Sequence, residues 1–321
     1  MRILSGIQPT GRLHLGNYFG AMRQHIELQN VHDCYYFIAN YHALTSITDP
    51  AVLKEYTVNV AIDYLALGLD PQKVAFYRQS DLPEVAELTW MLCCVTPMGL
   101  LERAHSYKDK TARGMQATHG LFSYPVLMAA DILIVDANLV PVGKDQKQHL
   151  EMTRDIAIKF NLLYGDTFVV PEPRIEEATA VVPGLDGQKM SKSYNNTIEI
   201  FAEGKELKER VMAIVTDSAA VDAPKDPDTN NVFNLLRLFI TKEEQAEWRQ
   251  KFTGGGLKYS DVKKRLMQRI DETFREAREK RKELAAHPEK VEEILAFGVE
   301  KARKIASKTL ERARNACGVG K

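Results

Sequence analysis

Two hydrophobic textures divide the chain. Up to about residue 190, short β-branched or aromatic runs recur at Ile3-Leu4, Tyr35-Tyr36-Phe37-Ile38, Val74-Ala75-Phe76-Tyr77, Ile132-Leu133-Ile134-Val135 and Phe168-Val169-Val170. Stretches with apolar residues three and four apart lie between several of them, including Leu53 to Leu67, opened by Asp49-Pro50 as cap and first turn, and Gln146 to Phe160. Strand–helix alternation of this kind predicts a parallel sheet with helices on both faces. Periodicity leaves open which apolar runs are strand and which are buried helix, although Met128-Ala129-Ala130-Asp131 reads as helix. From about Glu203 the pattern is helical almost throughout, over 206–212, 232–239, 242–252, 260–283 and 289–314. The reading is an α/β chain: a Rossmann-like parallel-sheet domain over 1–200 and a smaller all-helical domain over 201–321, whose last helix is expected to pack back on the first domain.

Composition adds one distinction. The 321 residues carry 43 Lys+Arg and 43 Asp+Glu, which argues against an overall polybasic nucleic-acid binder. The zero is a sum of opposites: Thr241 to Lys321 holds 21 basic and 14 acidic residues, so that stretch is +7 and the rest is −7. An asymmetry like this suits a nucleic-acid partner for one end, and equally well a set of Lys-rich surface helices. The four cysteines, Cys34, Cys93, Cys94 and Cys317, form no zinc spacing and read as small buried thiols in a reducing compartment. The N-terminus lacks the apolar core of a signal peptide, and the most apolar stretch, 125–135, is broken by Asp131 and too short to span a bilayer. A cytoplasmic protein is expected.

Two segments carry candidate chemistry. Gln8-Pro9-Thr10-Gly11-Arg12-Leu13-His14-Leu15-Gly16-Asn17 follows the first run and opens a helix. Gly16 lets backbone approach a ligand, and His14 and Asn17 could donate to a phosphoryl group at a helix N-terminus. A tight turn with a surface histidine fits that segment as well. Lys189-Met190-Ser191-Lys192-Ser193, after Gly184-Leu185-Asp186-Gly187-Gln188, is far more specific: two lysines on a short loop suit a triphosphate and its departing pyrophosphate. Tyr124, Met128 and Asp131 fall at i, i+4 and i+7 on a helix and share one face.

An H-x-G-N turn followed by K-M-S-K-S resembles the class I aminoacyl-tRNA synthetases. The likeness to the bacterial-type tryptophanyl branch runs almost end to end, through Ser5–Gly11, His42–Thr45, Tyr124–Leu133 and Val140–His149. Tyrosine enzymes typically carry Gln where this chain has Met128. The resemblance implies ATP contacts at Gln8, Pro9, Thr10, Gly16, Asn17, Gly143, Lys144, Asp145, Val181, Lys189, Met190, Ser191, Lys192 and Ser193. It implies that His14, Asn17, Lys108, Lys110, Lys189 and Lys192 act on the phosphates during catalysis. Tryptophan would lie among Asp131, Met128, Tyr124, Gln146, His42, Val140, Val142 and Leu4. Asp131 would accept the indole N–H, which excludes phenylalanine by leaving a buried carboxylate unpaired. Tyr124 and Gln146 would hold the substrate's ammonium and carboxylate, with His42 nearby.

The implied partners are L-tryptophan, ATP with Mg²⁺, and tRNA(Trp), bound by a homodimer whose helical domain reads the anticodon, with no DNA or membrane partner. No iron–sulfur cluster is expected, because only Cys317 lies in the C-terminal half. Ser106, Leu4, Asn40-Tyr41 and Lys144 depart from common family residues. A tyrosine-specific enzyme and a non-charging regulatory paralogue are the alternatives.

Overall fold

A computed structural model describes residues 1–104, 107, 108, 114, 118–142, 147–175 and 182–320, with no side-chain description at Val142, Arg174 and Ile175. Five strands, β1 (Arg2–Ile7), β2 (Asp33–Ile38), β3 (Ala75–Arg78), β4 (Leu139–Val142) and β5 (Glu172–Ile175), form one sheet in the order β3-β2-β1-β4-β5. Every pairing is parallel. Chain direction therefore reverses its walk across the sheet between β1 and β4, and ligands of such sheets sit beyond the strand C-termini at that point.

The first three strands fall where the apolar runs predict. The last two do not. Ile132–Val135 lies not in a strand but at the end of the helix His119–Ile134, and its apolar character reflects burial of that helix. Phe168–Val170 precedes β5 and is not itself a strand; Phe168 instead packs on Phe160, ring centroids 4.7 Å apart. The two strands missed by periodicity each contain proline, Pro141 in β4 and Pro173 in β5. Proline is tolerated there because β5 is an edge, and β4 meets β1 only at Leu139–Ile3, below Pro141.

Helices cover both faces: α1 (Leu15–Asn17), which continues through a π-helical turn (Tyr18–Met22) into α2 (Arg23–Leu28), then α3 (Asn40–Ala43), α4 (Pro50–Ala66), α5 (Glu84–Val95), α6 (Met98–Glu102), α7 (His119–Ile134), α8 (Lys147–Tyr164), α9 (Gly204–Met212), α10 (Asn231–Leu236), α11 (Lys242–Gly254), α12 (Tyr259–Ala286) and α13 (Pro288–Ala316). Asp49 caps α4 by accepting the N–H groups of Ala51 and Val52 at 2.8 and 3.3 Å, with Pro50 in the first turn.

The strand period of two sorts the sheet into two cores. Ile3, Tyr36 and Phe76 join one with α4 and α12; Leu4, Tyr35, Phe37, Ala75 and Tyr77 join the other with α5, α7 and α8. Helix α13 serves both: Val291 and Leu295 enter the first, and Val299, Ala302, Ala306 and Leu310 the second. It crosses the β3 edge at Gly298, where a Cβ would stand 1.8 Å from the Phe76 carbonyl oxygen. The edge strand is thereby covered. Around this crossing Arg78 pairs with Glu292 at 2.7 Å, Arg303 donates to Glu84 at 3.0 Å and to the Asp81 carbonyl, and Lys301 donates to the carbonyls of Pro71, Gln72 and Val74.

The expectation of four buried thiols fails. Cys34 is buried, Cys93 is half-buried and Cys94 is exposed, because neighbours on α5 point roughly 100° apart. Among the described residues, no helix is long and apolar enough to cross a membrane.

Candidate active site

The loop after β1 and the K-M-S-K-S segment meet. Leu15 N–H donates to the Ile198 carbonyl at 2.9 Å and Ile200 N–H to the Leu13 carbonyl at 3.1 Å, so the His14 turn lies against the strand-like segment that follows the lysines. His14 is the N-cap residue of α1 and is buried. Its backbone N–H donates to Asn17 Oδ1 at 3.0 Å, which fixes that side chain with its amide nitrogen left as the donor. His14 Nδ1 is buried with no protein partner. Burial, and then the charge of Lys192, push the imidazole down to about 4, so it is neutral at physiological pH. A Cβ on Gly16 would lie 2.9 Å from the His14 ring, so glycine leaves room for the buried imidazole within its own turn, and it would touch Met190 Cβ at 3.4 Å, an ordinary contact.

Met190 is buried and anchors its loop from inside, its N–H donating to the Val182 carbonyl at 2.9 Å. Lys192 Nζ reaches back to the Thr10 carbonyl at 2.9 Å. Lys192 is an exposed residue, but desolvation of its ammonium against the Thr10 turn holds it below the usual lysine range, against the raising effect of Glu199 and Asp63. Lys189 and Ser193 are exposed and Ser191 is half-buried. The loop's shape depends on Asn196, which the sequence reading did not single out. Buried itself, it accepts Ser191 N–H at 2.7 Å and donates to Asp186 Oδ1 at 2.8 Å and to the Lys189 carbonyl at 3.2 Å. Lys192, Thr10, His14 and Met190 thus form one cluster.

A second cluster surrounds Asp131 on α7, which is 3 % exposed. Its carboxylate accepts from His42 Nε2 at 2.9 Å and from Gln79 Nε2 at 2.8 and 2.9 Å. Burial pushes this carboxyl up, while His42 and Gln79 pull it back toward the anion. His42 faces Tyr124 edge-on, ring centroids 6.1 Å apart, and the Tyr124 hydroxyl lies 2.7 Å from His149 Nε2. The two clusters are joined, since Gln8 Nε2 donates to the His42 carbonyl at 3.3 Å. Met128 is half-buried beside the same core, Val140 is buried on β4, and Leu4 is buried on β1. Gln79 and His149 were given no role: His149 closes the Val140–His149 segment, but Gln79 lies in none of the segments that carry the resemblance and reaches Asp131 across 52 residues of sequence.

Lys108 is exposed. Lys110, Gly143, Lys144, Asp145, Gln146 and Val181, with Ser106, lie outside the described residues, as does the side chain of Val142. Among the described residues no group of three His, Cys, Asp or Glu could hold a metal ion.

The chain is 56% identical to the tryptophan–tRNA ligase of Fusobacterium nucleatum subsp. nucleatum over 319 residues, 99% of this chain and 98% of that protein. It is 51% identical to the tryptophan–tRNA ligase of Rhodopirellula baltica, covering 99% of this chain and all of that one. The crystal structure of Campylobacter jejuni tryptophanyl-tRNA synthetase complexed with ADP and tryptophan superposes with a TM-score of 0.95 at 52% identity, over 99% of this chain and 100% of that chain. The family described as tRNA synthetases class I (W and Y) matches residues 1–275. With a parallel sheet whose strand order reverses at β1, a K-M-S-K-S loop docked on the turn after it and relatives of this identity along the full length, the chain belongs to the class I tRNA synthetases of the W and Y family.

Proposed function

We propose that this chain is a tryptophan–tRNA ligase: it activates L-tryptophan with ATP to tryptophanyl-adenylate, releasing pyrophosphate, and transfers the aminoacyl group to the terminal adenosine of tRNA(Trp). The observation that carries the choice of amino acid is the buried Asp131 carboxylate, fixed by Gln79 and His42 beside the loop that bears Gln8 and Thr10. A fixed acceptor in an apolar wall suits indole, which offers one donor and no acceptor. Met128, where tyrosine enzymes carry an amide, favours tryptophan over tyrosine. The Campylobacter relative's complex with ADP and tryptophan supports the same substrates here.

In the first step the tryptophan carboxylate attacks the α-phosphorus in line, the P–O bond to pyrophosphate breaks, and no protein nucleophile takes part. Catalysis is positioning and charge stabilisation. Asn17 and neutral His14 would face the phosphates from the helix start, and Lys189 and Lys192 would neutralise the leaving pyrophosphate. Gln8, Pro9, Thr10, Gly16, Met190, Ser191 and Ser193 would line the nucleotide; Gly143, Lys144, Asp145 and Val181 are proposed there from resemblance alone, as are Lys108 and Lys110 at the phosphates. Tyr124, Gln146 and His42 would flank the substrate's ammonium and carboxylate, with Val140, Val142 and Leu4 on its apolar side. Mg²⁺ would arrive as the metal of MgATP, held by phosphates and water. In the second step the tRNA's 2′-hydroxyl attacks the adenylate carbonyl and AMP leaves.

The reading includes a cytoplasmic homodimer, with residues 1–200 catalytic and 201–321 facing tRNA. Exposed Trp90 on α5, 71 % accessible, and exposed Met98 on α6 support a subunit interface on that side. Tryptophan-dependent ATP–pyrophosphate exchange followed by charging of tRNA(Trp) tests the whole. Exchange driven by tyrosine, or none with either amino acid, rejects it.

A further inference from the structure

We propose that Gln79 is the positioning residue that confines Asp131 to a single free acceptor direction and so makes the pocket select a ring bearing one N–H. The inference rests on the reading of Asp131 as the indole acceptor and extends it to a residue with no part in any motif.

The orientation of the Gln79 side chain is settled by its neighbours. Its Oε1 accepts the backbone N–H groups of Tyr41 at 3.0 Å and His42 at 3.4 Å. Its Nε2 donates to both carboxylate oxygens of Asp131. A flipped amide would set N–H against N–H on one side and carbonyl against carboxylate on the other, so only one orientation satisfies the site. Gln79 has no exposed surface, hence water cannot substitute for either partner.

Counting acceptors gives the consequence. A carboxylate offers about four lone-pair directions. Gln79 takes one on each Asp131 oxygen and His42 takes another on Oδ2, which leaves one on Oδ1. Without Gln79 the carboxylate is free to turn about its soft terminal torsion. It would also lose a donor while staying buried, which favours the protonated acid, and an acid donates as well as accepts. The pocket would then admit rings that lack the N–H.

The turn that carries Gln79 is itself held from outside. It follows β3, whose Phe76 carbonyl abuts Gly298, and it is flanked by the Arg78–Glu292 pair and the Arg303 contacts to Asp81 and Glu84. The C-terminal helix therefore fixes the residue that fixes Asp131.

The test compares kcat/KM in ATP–pyrophosphate exchange for L-tryptophan and for 3-benzothienyl-L-alanine, which replaces the indole N–H by sulfur. Wild-type enzyme should prefer tryptophan by at least about a hundredfold. Gln79→Glu keeps an acceptor for the Tyr41 and His42 N–H groups but sets a second carboxyl against Asp131, so the buried pair must share a proton and one member becomes an acid; Gln79→Met fills the volume and removes both functions. Either folded variant should compress the preference tenfold or more through the tryptophan KM, with the ATP KM little changed. An unchanged preference, or equal losses for both substrates, overturns the role of Gln79 while leaving Asp131 as acceptor. Absence of any preference in wild-type enzyme overturns the Asp131 reading and this proposal with it.

Discussion

Lys192 Nζ donates to the Thr10 carbonyl at 2.9 Å, joining residues 182 positions apart. The contact holds the K-M-S-K-S loop against the turn after β1, and it places a cation beside His14. The hydrogen bonds of this ammonium go to neutral oxygens, the Thr10 carbonyl and the Thr10 hydroxyl at 3.5 Å, so an incoming phosphate anion is a better partner.

Replacing Lys192 with Ala should therefore act on the chemical step. The expected outcome is a loss of about 10²–10³ in the rate of tryptophan-dependent ATP–pyrophosphate exchange, the scale found for single charge-stabilising donors. The KM for tryptophan should change little, because Asp131, Gln79 and His42 form a separate hydrogen-bonded group. Exchange at the wild-type rate would remove Lys192 from the mechanism.

Gly298→Ala tests the crossing of α13 over β3. Its Cβ would meet backbone, the Phe76 carbonyl carbon at 2.6 Å as well as the oxygen, and backbone yields less readily than a side-chain tip. We expect destabilisation of about 2 kcal/mol or more and a melting temperature several degrees lower. Because the turn that bears Gln79 directly follows the strand that bears Phe76, tryptophan affinity should fall along with stability. A melting curve that superposes on wild type would show that the helix can lift off the edge at no cost.

His25 makes the stability of the fold pH-dependent. Fully buried, it stacks on Tyr36 at 4.7 Å, and its Nδ1 lies 2.9 Å from the Tyr64 hydroxyl. Burial pushes it down to about 4. The unfolded chain, titrating near 6.5, binds the proton first. Stability from neutral His25 is thus full above about pH 6.5 and is lost as pH falls toward 4. On the order of 2 kcal/mol should disappear between pH 7 and 5 from this residue, with buried His14 adding in the same direction. Urea midpoints at the two pH values check this: His25→Phe should shrink the difference, and an equal difference in both proteins would assign the effect elsewhere.

The charge asymmetry takes a different meaning in three dimensions. The +7 of residues 241–321 suggests a surface for RNA phosphates. Several of those cations pair with acidic or carbonyl groups of the first 240 residues: Arg281 with Asp63 at 2.6 Å, Arg278 with Glu203 at 3.5 Å, Arg312 with Asp136 at 2.6 Å, Arg314 with Glu87 at 2.5 Å, and Lys301 and Arg303 with the β3 edge. Opposite net charges at the two ends of the chain therefore also serve to hold the terminal helices against the helices and loops around the sheet.

What the sequence determined by itself was local. The cap at Asp49, the long helices after Glu203, the H-x-G-N and K-M-S-K-S segments and the shared face of Tyr124, Met128 and Asp131 depend on residues within a few positions of one another, where spacing alone fixes geometry. Tertiary structure decided the rest. The strands with Pro141 and Pro173 exist because the sheet offers positions where a missing N–H is tolerated. Gln79 reaches Asp131, Asn196 shapes the lysine loop, and Lys192 finds Thr10 only because parallel strands and a helix wrapped over an edge bring distant segments together. Hydrogen bonds across 52 or 182 residues leave no periodicity to read; they are set by how the two faces of one sheet are packed.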